Sequence, residues 1–92
     1  VPTNPNELKK ILKHSKEYRE YKITLEDYKS YLWSIAMSLT SLELKEMRTF
    51  LQASEAELDS LMFTIDDEHI FKEAQEITHK IDSRIVAYIK TH

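Results

Sequence analysis

Apolar residues recur along the chain at helical spacing in four separate runs. Leu8, Ile11 and Leu12, followed by Ser15 and Tyr18, trace one narrow face of a first helix. Leu25, Tyr28, Leu32, Ile35 and Leu39 mark the core face of a second, with Trp33 and Ala36 on its flank. A third run holds Leu44, Met47, Phe50, Leu51, Leu58, Leu61 and Met62. Ile70, Ala74, Ile77, Ile81, Ile85 and Tyr88 form the fourth, the strongest amphipathic segment of the chain. The polar positions punctuate this pattern. Asn4 or Asn6 can cap helix 1, with Pro5 tolerated in its first turn. Thr24-Leu25-Glu26-Asp27 and Thr40-Ser41-Leu42-Glu43 are start signals for helices 2 and 3. Thr64 or Asp66 can cap helix 4, with Asp67 and Glu68 in its first turn. Ser54-Glu55-Ala56-Glu57 is a further capping box inside the third run, compatible with a kink or a break, a continuous or slightly bent helix being the simpler reading.

Four amphipathic helices with short connections predict an all-α chain folded as an antiparallel four-helix bundle over residues 1–92, a single domain. Leu32, Ile35, Met47, Leu51, Leu58, Ile70, Ile77 and Ile81 are the expected core. Helix 1, with its thin and Lys-rich stripe, is expected to pack loosely or at an angle. Composition supports the helical reading: there is no Gly, and Pro occurs only at positions 2 and 5. Without Gly, any turn with positive φ is expected to fall to Asn, Asp or Ser. The absence of Cys excludes disulfides and Cys-based zinc sites and leans toward a cytoplasmic protein. No apolar run is long enough for a transmembrane segment or signal peptide. Val1 in place of Met suggests a trimmed or engineered start.

Charge changes the picture more. Residues 1–22 set six basic residues against Glu7, Glu17 and Glu20, a net +3, although the whole chain carries −3. That balance, and the absence of a second basic element, disfavours nucleic acid as a partner. Between Arg48 and Lys72 there is no Lys or Arg, yet Glu55, Glu57, Asp59, Asp66, Asp67 and Glu68 fall there. Half of that acidity is what a helix N-terminus calls for, and a polar helix face explains much of the rest. Its clustering also suits a patch that steers and docks a basic protein. Catalysis has no Cys nucleophile, no Gly-rich phosphate loop and no nucleophile elbow to rest on, so no enzyme, catalytic residue or cofactor is expected. Glu76-Ile77-Thr78-His79 has the E-x-x-H spacing of di-iron bundles, but there is no second such motif, and His69 with Glu73 is a single pair. Both read as surface pairs, with no metal.

The stretch ASEAELDSLMFTIDDEHIFKEAQEITHKI, with its acidic late third helix, I-D-D turn and final helix of alternating Glu and Lys, resembles the colicin D-type bacterial immunity proteins. The likeness covers roughly the last 40 residues. It implies an antiparallel four-helix bundle that neutralises a tRNA-cleaving toxin domain by placing carboxylates where RNA phosphates would lie. Asp66, Asp67, Glu68, Glu55, Glu57 and Asp59 would then be the partner-binding positions. Two other readings belong to different classes. One is an immunity protein against a membrane-active bacteriocin, using the basic helix 1 or the aromatic helix 2. The other is a structural module that oligomerises through Tyr31, Trp33 and Met37.

Overall fold

A computed structural model describes residues 6–64 and 66–91. Among these the chain forms helices α1 (Asn6–Arg19), α2 (Leu25–Ser38), α3 (Lys45–Thr64) and α4 (Asp67–Thr91), with a 3₁₀ turn at Leu42–Leu44 and no strand. The helices form an antiparallel four-helix bundle in which each packs on its neighbours in sequence and α1 closes on α4. Cross-helix partners run in opposite senses: Lys29 meets Asp59 and Met37 meets Gln52 between α2 and α3. The body measures 43 × 21 × 18 Å. The 25 residues of α4, at about 1.5 Å each, span most of its length.

Local sequence explains the ends. Thr24 caps α2 by accepting a hydrogen bond from the Asp27 amide at 3.1 Å. Asp66 caps α4, and the alternative cap at Thr64 is not used as one, since α3 runs through Thr64. Ser41 makes no side-chain cap, so the chain enters α3 through the 3₁₀ turn rather than at once. The capping box at Ser54 is unused. Its hydroxyl donates instead to the Phe50 carbonyl at 2.9 Å, within an unbroken α3. The proposed cap at Asn4, and Pro5, lie outside the described residues.

The chain leaves α1 through a left-handed residue, and this is Tyr21 at φ 61°, not Asn, Asp or Ser. The Tyr21 amide donates to the Tyr18 carbonyl and the Lys22 amide to the Glu17 carbonyl, the pairing of a Schellman motif. The Tyr21 ring stacks on Phe71 of α4, with centroids 4.5 Å apart, which offsets the steric cost of a Cβ in this conformation.

Leu32, Ile35, Met47, Leu51, Leu58 and Ile81 are buried as expected. Ile70 and Ile77 are only half-buried, and Met62 is exposed. The innermost stripe of α4 is Ala74, Thr78, Ile81 and Ile85, which turns Ile77 toward the flank. Thr78 can hold the central place because its hydroxyl is satisfied: it donates to the Gln75 carbonyl at 2.7 Å and accepts from Arg19 at 3.3 Å. Arg19 also pairs with Asp82 at 2.7 Å, tying α1 to α4. Nor is α1 loose. Leu8, Ile11 and Ser15 are fully buried, and Ser15 shares a 2.5 Å hydrogen bond with Tyr28 at the centre of the bundle. Burial raises the Tyr28 phenol far above its ordinary value, so it stays a neutral hydrogen-bonding group.

Candidate functional site

The six carboxylates between Arg48 and Lys72 do not share one surface. Asp66, Asp67 and Glu68 gather at the start of α4, all exposed. Asp66 accepts from the His69 amide at 3.0 Å and from the His69 ring at 2.8 Å. The amide bond, and then the ring contact, holds its carboxyl below the usual aspartate value. Asp67 lines a shallow cleft with Lys22, Thr24, Asp27 and Phe71, facing the α1–α2 connection. Lys22 is engaged by Glu20 at 2.9 Å, which lowers the Glu20 carboxyl.

On α3 the remaining acids diverge. Glu57 turns toward α4 and lines a groove with Glu73, Glu76, Ile77 and Lys80. Glu55 turns the other way, into a cleft against α2 with Glu26, Ser30 and Trp33. Asp59 also faces α2, where it holds the ammonium of Lys29 at 2.5 Å. The Lys29 side chain is 11% exposed while that of Asp59 is 53% exposed, so the pair brings a cation to the edge of the core rather than burying an acid. Sequence pattern alone hid this, because a lysine on the core side of a helix looks like an interruption of the stripe.

Two apolar residues join the acidic end. Phe63 is 83% exposed and Met62 is 42% exposed, in the last turn of α3. Glu55, Asp59, Met62 and Phe63 follow one another at intervals of four and three or four residues, hence along one face of α3. That face borders α2, where Trp33 and Met37 are exposed as well. The result is a band of acidic and apolar groups from the middle of the α2–α3 groove to the start of α4. Tyr31, on the opposite side of α2, is withdrawn from it by stacking on His14 of α1 at 3.6 Å. The exposure of Phe63 was legible in principle, since it falls one position beyond Met62 in a stripe that ends at the helix terminus.

The E-x-x-H residues do not converge. Glu76 faces the α3–α4 groove, whereas His79 lines a different cleft with Asp82 and Val86. Among the described residues no group of three or more His, Asp and Glu side chains could hold a metal ion. No helix of the described residues is long and apolar enough to cross a membrane. No protein-family model, curated protein or solved structure matches the chain.

Proposed function

We propose that this bundle is an immunity-type inhibitor that docks its acidic end into the basic cleft of a nuclease toxin. One observation carries the reading: the last turn of α3 exposes an aromatic residue, Phe63, a few residues before the exposed Asp66, Asp67 and Glu68 at the start of α4. Interfaces that bind tightly bury an aromatic residue at the centre and ring it with polar groups. A nuclease cleft shaped for RNA phosphates presents cations, which carboxylates on a rigid helix terminus can engage in their place. Asp67 and Glu68 are the acids free of a capping duty, and they form the electrostatic contact. Asp66 is committed to capping α4 through the His69 amide. Glu57 lies outside this footprint, and Asp59 enters it already neutralised by Lys29.

The reading is tested by co-expressing this chain with tRNA-cleaving nuclease toxin domains, including any that is encoded beside its gene. The intact protein restores growth and copurifies with the nuclease, and the double reversal Asp67→Lys with Glu68→Lys does neither. Equal protection by that variant overturns the reading. Self-association is the second reading, favoured by the exposed Trp33 and Met37 on α2. It predicts a concentration-dependent dimer by sedimentation that Trp33→Ser abolishes.

A further inference from the structure

The cleft between α2 and α3 that holds Glu55 has a chemistry of its own. Glu26, Ser30 and Trp33 stand at i, i+4 and i+7 on one face of α2, and Glu55 of α3 forms the opposite wall. Trp33, the chain's single tryptophan, leaves 54% of its surface to solvent there. Lys29 also lines the cleft, but its ammonium is committed to Asp59 at 2.5 Å. Neither Glu26 nor Glu55 forms an ion pair among the described residues. The cleft therefore offers an exposed indole beside two carboxylates that pair with no cation among the described residues.

We infer that this cleft is a receptor for an arginine side chain carried by the protein partner. A guanidinium is planar, weakly hydrated and permanently charged, so it can lie on the Trp33 face while its N–H groups donate to Glu55 and Glu26. An ammonium matches only the charge. It is compact and strongly hydrated, and it gains less from the ring. Position supports the same occupant. Glu55 is eight residues from Phe63 on α3, about 12 Å along the axis, so one partner face can cover both the cleft and the acidic end. The inference deepens the docking reading and rests on it for the partner's identity, but not for the chemistry of the cleft.

The single tryptophan makes the test direct. A tri-arginine peptide with blocked termini, titrated into the intact protein, should shift Trp33 emission saturably, and tri-lysine should bind about tenfold more weakly. Glu55→Gln and Glu26→Gln keep the fluorophore and replace exposed or half-exposed side chains, and each should weaken tri-arginine binding severalfold with an unchanged melting temperature. Asp67→Lys should leave it unchanged. Equal binding of the two peptides, or a loss in Asp67→Lys matching that in Glu55→Gln, would mean general attraction to an acidic protein and overturn the inference. So would the absence of a saturable shift. Arginine selectivity in a protein whose Asp67→Lys, Glu68→Lys variant still protects against the nuclease keeps the cleft and removes the acidic-end reading. Protection by the intact acidic end without arginine selectivity does the reverse.

Discussion

Tyr21 shows how a chain without glycine ends a helix. A tyrosine at φ 61° carries a steric cost that glycine avoids, and its stack on Phe71 returns about 0.5–1.5 kcal/mol. Replacing it separates the two terms. Tyr21→Ala loses the ring and keeps the strain, whereas Tyr21→Gly loses the ring and relieves the strain. Urea denaturation should place the glycine variant about 1 kcal/mol above the alanine variant. Equal stabilities would mean that the left-handed turn stores no strain. Composition could say that no glycine was present to take such a turn. It could not say that a tyrosine would, because the compensation comes from Phe71, fifty positions away in sequence.

Among the elements, α4 shows what periodicity resolves and where it stops. The helix and its amphipathic face were legible, but its centre was misplaced by one position, since Thr78 reads as polar. Its hydroxyl is satisfied by Gln75 and Arg19, so it packs where an isoleucine was expected. Ile81 is fully buried and Ile77 half-buried. Ile81→Ala should accordingly cost roughly 2–5 kcal/mol, with Ile77→Ala toward or below the lower end of that range. Comparable costs in denaturant titrations would restore Ile77 to the core. The start of α4 has a pH dependence of known sign. Asp66 has a folded-state pKa lowered by the His69 amide and ring. Its stabilising effect is therefore complete above the ordinary aspartate value and is lost as pH falls through the lowered one. Asn can also cap but does not titrate. Asp66→Asn should lose less melting temperature between neutral pH and pH values near 3 than the intact protein. Parallel acid limbs for the two proteins would show that the cap contact does not favour the ionised form.

At the scale of the whole molecule, four runs of apolar residues sufficed for four helices and their antiparallel order, because short connections leave neighbours few other ways to pack. The candidate site was less legible. Proximity in sequence placed six acids together, but a helix turns each residue by about 100°, so α3 sends Glu57 to one groove and Glu55 and Asp59 to the other. Lys29 reduces the charge of that second face without any sign of it in residues 49–71. At the end of the bundle Asp67 and Glu68 are exposed in the first turn of α4, a few residues from the exposed Phe63, with the basic outer face of α1 as the competing surface. The association kinetics of the proposed nuclease partner with Asp67→Lys and Lys13→Glu, at low and moderate salt, test docking through that end most directly. Docking through the acidic end predicts a large loss of association rate and of its salt dependence for Asp67→Lys, and near-normal binding for Lys13→Glu, with both variants melting like the intact protein. Stronger weakening by Lys13→Glu than by Asp67→Lys would contradict it and move the docking surface to α1.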